Sequence, residues 1–310
     1  MRAAVFAGVG RLEIEERPEP RAEGEDELLL EVEACGVCGT DLKILADPPG
    51  HPAAVGVVLG HEFVGRSGGA RYVVAPNIAC GRCNQCRRGL RNQCERFTTL
   101  GVFRDGGLAP LVAVPAANCH PISPDVPPEL AALVEPLSTV VHGVRQLVPF
   151  PGERALVVGA GPIGLMFVAL LRRAGCRVGV VEPSAERRAL AEQLGAEEVE
   201  GAEMVVDAVG SQLPLALDSV ERGGRILLFG VDSRARAEIA QERITRDELT
   251  IIGSFVGQDV FPAAVALVEG GLDLAPLVTH RIGLEELPSA LDELRAGRAV
   301  KVEVLLSRLS

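Results

Sequence analysis

Short apolar runs separated by Gly and Pro mark the first part of the chain. Residues 3–6, 12–15, 28–34, 55–58, 62–66 and 72–75 read as β-strands. Ser67-Gly68-Gly69-Ala70 reads as a tight hairpin turn between the fifth and sixth of these. Near Pro127 the period changes. Over residues 128–147 apolar side chains return at helical spacing, with Leu130, Leu133, Val134 and Leu137 on one face. Strands and helices then alternate. Strands are expected at 154–159, 177–182, 204–209, 225–230 and 250–253, with helices at 162–174, 185–194 and 213–221 between them. Further helices are expected at 261–269 and 287–295, and a last strand at 300–305. Alternation of this kind makes a parallel, doubly wound sheet. The expected fold class is therefore α/β plus β-rich. A β-rich region spans 1–125 and a doubly wound region spans 126–256, with mixed structure over 257–310.

One interval is too short for the pattern. Only residues 196–203 separate the second helix of the wound region from its next strand. A parallel crossover needs about a dozen residues including its helix. The third strand and its helix are expected to be trimmed, leaving a smaller sheet with a more open edge.

Length agrees with two domains, since 310 residues exceed one compact core. The net charge of −11 argues against nucleic acid or an anionic membrane as the main partner. No uninterrupted apolar run reaches about 18 residues, so no membrane span is expected. The first twenty residues lack the apolar core and cleavage pattern of a secretory signal, and a cytoplasmic protein is expected. Arg heavily outnumbers Lys, with Lys43 and Lys301 the only lysines.

Candidate chemistry begins with Gly159-Ala160-Gly161-Pro162-Ile163-Gly164, which follows an expected strand and opens an expected helix. In that context the three glycines serve a tight turn, close approach of a pyrophosphate, and close helix–strand packing. The helix N-terminus presents free N–H groups to the phosphates. Glu182 ends the next strand, where a carboxylate accepts ribose hydroxyls and repels a 2′-phosphate. That favours NAD over NADP, and Arg187 can reach the ribose or, as the lesser alternative, a 2′-phosphate.

The eight cysteines cluster unevenly. Cys80, Cys83, Cys86 and Cys94 fall within fifteen positions. Two successive C-x2-C steps and a closing Cys suit a tetrahedral structural zinc; a disulfide pair and an iron–sulfur cluster are the alternatives. Arg82, Arg87, Arg88 and Arg91 surround the loop and are expected to offset its thiolate charge. A nucleic-acid-binding zinc ribbon is disfavoured by the acidic whole and by the absence of stacking aromatics. Upstream lie Cys38 in Cys35-Gly-Val-Cys38-Gly-Thr40-Asp41, then His61-Glu62, then Glu135 in Glu135-Pro-Leu-Ser. Singly these are weak signals, and Cys35-x-x-Cys38 alone reads equally as a redox pair.

Together, CGVCGTD (35–41), GHE (60–62), the four-Cys loop (80–94), EPLSTVVHG (135–143), GAGPIGL (159–165) and DAVG (207–210) resemble the zinc-dependent medium-chain dehydrogenase/reductase family over nearly the whole chain. The EPLS stretch resembles its sorbitol and polyol dehydrogenase branch. The resemblance implies a GroES-like catalytic domain over 1–125 that is completed by 257–310, a Rossmann NAD-binding domain over 126–256, and an active site in the cleft between them. It implies that Cys38, His61 and Glu62 ligate a catalytic zinc, with Glu135 binding it directly or through its water. Thr40 matches the proton-shuttling hydroxyl, and Asp41 the carboxylate that orients the ligand histidine. It implies two zinc ions per chain, NAD, a small alcohol or polyol substrate, and a homodimer or homotetramer. Cys35, Cys119 and Cys176 match no ligand position. Lys43 departs from the pattern, standing where many members carry a relay histidine. The family's long segment after GHE is also shortened, to residues 63–79. Aldose, butanediol or threonine dehydrogenase on the same scaffold, and a non-catalytic NAD-binding zinc protein, stand as alternatives.

Overall fold

The computed structural model describes residues 1–306. The chain divides into two compact units: residues 1–136 with 261–271 and 278–310, and residues 137–260 with 272–277.

The first unit is β-rich. Its main sheet runs Val278–Ile282, Lys301–Leu305, Glu27–Gly36, Glu62–Ser67, Ala70–Val74 and Cys119–Pro121, with Leu111–Pro115 also paired to Glu27–Gly36. The strand Lys301–Leu305 is antiparallel to Glu27–Gly36, so this late segment is built into the same sheet as the early strands. Ser67 pairs with Ala70 across the Gly68-Gly69 turn, as the hairpin reading requires. The expected strand at 55–58 is not one. Gly56 takes φ +85 and Val55 is 71% exposed, so only Val58 forms an isolated bridge, to Val5. A left-handed glycine breaks the pleat that a continuous strand needs.

Residues 128–147 form two helices, Pro128–Ala131 and Val134–Leu147, instead of one. Pro136 has no N–H to give the Ala132 carbonyl, and proline is tolerated only in the first turn of a helix. The second helix therefore restarts at Val134.

The second unit holds five parallel strands in the order Arg177–Val181, Arg154–Val158, Ala202–Asp207, Val220–Leu228, Thr250–Gly253. A six-strand Rossmann sheet reads 3-2-1-4-5-6. Position 3 is missing among the described residues, and Arg177–Val181 is the edge. The chain passes from the helix Ala185–Gln193 to the strand Ala202–Asp207 without a crossover helix, as the interval length predicts. No described helix is long and apolar enough to cross a membrane.

In the β-rich unit a buried arginine ion pair ties three segments. Arg71, 6% exposed, donates to both oxygens of Glu33 at 2.6 and 2.8 Å and to the carbonyls of Pro124 and Val126. Burial pushes the Glu33 pKa up, but Arg71 and Arg66 outweigh it and hold the carboxyl below its ordinary 4.5. A depressed carboxylate stabilises the fold above its unfolded pKa and loses that contribution as pH falls through the folded value. Arg71→Met is expected to cost about 2–3 kcal/mol in urea denaturation at neutral pH, because Glu33 keeps only the more exposed Arg66 and the Pro124 and Val126 carbonyls lose their donor. Glu33→Gln is expected to flatten the stability slope below pH 4.5.

Candidate active site

Antiparallel pairing builds the first cluster. Gly36 lies opposite Glu62 in the register, so the strand leading into Val37 and Cys38 sits beside His61-Glu62. Gly60 delivers His61 from a left-handed turn (φ +91), where a Cβ would lie 2.5 Å from the Cys35 sulfur. Cys38, His61 and Glu62 place one donor atom each within 4.8 Å of one another. His61 is 7% exposed and Glu62 is 2% exposed.

Asp41 supports this set from behind. It lies in the short helix Gly39–Ile44, is 1% exposed, and accepts the Cys38 N–H at 2.8 Å through Oδ2. Its Oδ1 is 3.7 Å from His61 Nδ1, and both atoms are buried without a hydrogen-bond partner. Burial opposes a charged imidazole, yet the Cys38 sulfur and the Asp41 carboxylate outweigh it and raise the His61 pKa well above the usual value. The cluster thus draws positive charge inward, which is the demand a divalent cation meets. Sulfur, nitrogen and oxygen donors in one tight group fit zinc with room for a further ligand.

Glu135 is buried at the start of the helix Val134–Leu147 but is not one of the three grouped donors. Burial raises its pKa to about 7, against the pull of His61. Thr40 is half-buried in the first turn after Cys38, and Lys43 is exposed one turn further on. A residue without any signal in the sequence completes the cluster: Lys301, 2% exposed, donates to Glu62 Oε2 and to the Val37 carbonyl.

The second cluster is Cys80, Cys83, Cys86 and Cys94, again within 4.8 Å of one another. All eight cysteines are free, which removes the disulfide alternative. The Cys83 and Cys94 sulfurs lie 3.9 Å apart. A tetrahedron with Zn–S bonds of about 2.3 Å has edges of about 3.8 Å. Backbone N–H groups of Cys80 and Arg96 point at the Cys94 sulfur, and that of Cys86 at the Cys83 sulfur. The Cys80 pKa is lowered to about 6, chiefly by the Arg82 backbone N–H. Main-chain donors, rather than the expected arginine side chains, therefore do most to favour this thiolate. Arg82, Arg87, Arg88 and Arg91 are all exposed.

In the second unit Gly159 turns at φ +94 and its N–H bonds Val181. A Cβ on Gly164 would sit 1.9 Å from the Gly159 carbonyl, so strand and helix approach as the motif requires. Gly161 caps the helix Pro162–Arg173, with Pro162, Ile163 and Gly164 in its first turn, and a Cβ there would meet nothing within 4 Å. That open face suits a pyrophosphate. Glu182 accepts the Ala160 N–H at 2.7 Å through Oε2 and the Ser184 N–H at 3.0 Å through Oε1. Arg187 lies in the following helix Ala185–Gln193 with its Nε buried and without a partner. Asp207, the first residue of the DAVG stretch, accepts the N–H groups of Val209, Gly210 and Gln212 and so fixes the neighbouring strand-end loop.

Residues 24–124 match the alcohol dehydrogenase GroES-like domain, and 198–270 match the zinc-binding dehydrogenase domain. Residues 154–202 match the pyridine nucleotide-disulphide oxidoreductase pattern. D-arabinitol dehydrogenase 1 of Uromyces fabae is 34% identical over 314 residues, covering 90% of this chain and 90% of its own. The chain belongs to the zinc-dependent medium-chain dehydrogenase/reductase family. An L-threonine 3-dehydrogenase of Streptomyces avermitilis is 34% identical over 324 residues, covering 92% and 93%. A Sinorhizobium meliloti 1021 protein described as a zinc-binding dehydrogenase, solved with NADP, superimposes with TM-score 0.93 at 32% identity, covering 98% of each chain. The present dehydrogenase thus pairs a GroES-like domain with a Rossmann-type domain of reduced sheet, and is a zinc-dependent oxidoreductase. Because the Gly164 contact leaves no room for a methyl group, Gly164→Ala is expected to weaken NADH binding at least tenfold by fluorescence titration, with metal content unchanged.

Proposed function

We propose that this dehydrogenase oxidises a polyol or secondary alcohol to its ketone with NAD, and carries one catalytic and one structural zinc. The observation that carries the reading is the convergence of Cys38, His61 and Glu62 in a buried group backed by Asp41. Zinc bound there supplies Lewis acidity that draws an alcohol hydroxyl toward ionisation, and NAD supplies the hydride acceptor. Cys38, His61 and Glu62 hold the metal. Asp41 fixes the His61 ring, as outer carboxylates do for ligand histidines. Thr40 offers a hydroxyl that takes the substrate proton outward. Glu135 adds a buried carboxylate beside the set, available to the metal directly or through water. The four cysteines hold the second ion and stiffen their lobe.

Gly159, Gly161, Pro162, Ile163 and Gly164 seat the pyrophosphate, and Glu182 accepts the ribose hydroxyls. Both Glu182 oxygens are pinned by backbone N–H groups, so the carboxylate has little freedom to turn from a 2′-phosphate. Like charges held together cost several kcal/mol, which favours NAD here although the Sinorhizobium relative was solved with NADP. Arg187 reaches toward the same ribose. Thr250–Gly253 is a free sheet edge with half-buried Ile251 and Ile252, and it supports a homo-oligomer. Eight free cysteines fit a reducing, cytoplasmic compartment.

Zinc analysis paired with an NAD-reduction screen over arabinitol, sorbitol, xylitol, 2,3-butanediol and L-threonine tests the reading. Both clusters are expected to be filled, with turnover fastest on a polyol. Cys38→Ser is expected to lose one ion and all turnover; unchanged turnover would remove the catalytic assignment. Glu182→Ser is expected to shift the NAD/NADP ratio of kcat/KM toward NADP by about tenfold or more.

A further inference from the structure

The outer surface of the four-cysteine lobe has no part in holding an ion. Residues 80–96 carry Arg82, Arg87, Arg88, Arg91 and Arg96 against a single carboxylate, Glu95. All five arginines are exposed. None of them forms an ion pair among the described residues; Arg87 donates to the Arg82 carbonyl at 2.9 Å and Arg88 to the Gln85 side chain at 3.2 Å. Arginines elsewhere are commonly matched to carboxylates, as in Arg104–Glu27, Arg154–Glu203 and Arg298–Glu293. Four thiolates around a divalent zinc leave about two negative charges, fewer than the arginines carry. The lobe is thus a basic surface on a chain of net charge −11.

A cavity of opposite character lies elsewhere in the same unit. Its volume is about 590 Å³, and it opens among residues of the segments 17–23, 54–58 and 103–106. Glu19, Glu23 and Asp105 line it without an ion-pair partner among the described residues, against one unmatched cation, Arg21. Arg17 and Arg104 also line it, but Glu15 and Glu27 neutralise them. Val55, 71% exposed, and Phe103, 40% exposed, add apolar surface beside the acids. Carboxylates next to an aromatic ring suit a guanidinium, which bonds acids with its edge and stacks its flat face on the ring. No residue of 80–96 lines the cavity, so a lobe arginine that fills it comes from another molecule.

We propose that the cysteine lobe of one copy of this chain docks into the cavity of a second copy, with its arginines on Glu19, Glu23 and Phe103. The proposal rests on the homo-oligomer reading above and adds a contact separate from the edge strand Thr250–Gly253. The two patches differ, so a two-fold pair makes the contact twice. Exposed charges are screened by salt, so the contact weakens as ionic strength rises.

Sedimentation velocity of the intact, zinc-loaded enzyme tests this, read as the Kd of the salt-sensitive association step. Raising NaCl from about 0.05 M to about 0.5 M is expected to raise that Kd about tenfold or more. The lobe variant Arg87→Glu/Arg88→Glu/Arg91→Glu and the cavity variant Glu19→Arg/Glu23→Arg are each expected to weaken association by about tenfold or more, with turnover and zinc content unchanged. An equimolar mixture of the two is expected to recover wild-type association. In a mixed pair a reversed lobe meets a reversed cavity, and a native lobe meets a native cavity. The cavity variant is less acidic than wild type, so relief of general repulsion would strengthen its association, and that result overturns the proposal. Failure of the mixture to recover overturns it as well. If the lobe variant does not fold, the cavity variant and the salt series decide in its place. Wild-type association in both variants overturns the lobe contact and leaves the homo-oligomer reading standing; a monomer at every salt concentration overturns both.

Discussion

Charge removed from water is the constraint on which the β-rich unit depends. Cys38, Asp41, Glu62, Glu135 and Glu303 are brought close together, all but Cys38 fully buried, and an uncompensated carboxylate in such a place is expensive. Each meets the cost differently. Asp41 takes a backbone N–H, and Glu62 takes Lys301. Glu303, with neither oxygen hydrogen-bonded, has its pKa pushed well up by burial. What remains is negative charge around Cys38 and His61, and a cation is the group that satisfies it. Structure and chemistry share a cause here: the packing that draws these side chains in creates the demand for the ion.

The strands that converge on this cluster are far apart in sequence. Residue 36 meets residue 62 across one ladder, and residue 303 meets residue 36 across another. The strand Lys301–Leu305 therefore contributes to the Cys38, His61 and Glu62 cluster as well as to the sheet. Lys301 can reach the Glu62 carboxylate next to His61 only because the strand Lys301–Leu305 returns to the first unit.

The sequence was most legible where chemistry demands a fixed spacing. The Gly-rich turn, the four cysteines and the Gly68-Gly69 hairpin are local, since each is a short loop whose geometry tolerates few residues. Hidden features were those set by partners distant in sequence. In residues 300–305 valines alternate with Lys301 and Glu303, a pattern that reads as a strand with its polar face in water. The helix Pro128–Ala131 packs on this strand, and both polar side chains are buried. Alternation shows which residues share a face; what covers that face is decided elsewhere. The split at Pro136 was visible in principle, because proline's missing N–H is a local fact, but the continuous apolar face concealed it. The arginines of the cysteine lobe misled for a related reason. Side-chain charge is conspicuous in a sequence, whereas the backbone N–H groups that lower the Cys80 pKa belong to any tight loop.

The trimmed sheet shows what a dinucleotide site needs and what it does not. Removing the third strand exposes Arg177–Val181 as an edge, and bare edges invite pairing with other chains. Here the returning segment covers part of it: Glu197 gives its N–H to the Val178 carbonyl, and its side chain pairs with Arg172 and Arg177. Charge at the rim and one capped carbonyl do the work of a strand. The parts that face a cofactor are untouched by the loss. Glu182 is held by Ala160 and Ser184, Gly159 by Val181, and the strand-end loop by Asp207. All of these contacts run between adjacent strand ends and their own turns. A crossover can therefore be deleted while the turn geometry persists, because that geometry is closed by local hydrogen bonds and one glycine contact, not by the width of the sheet.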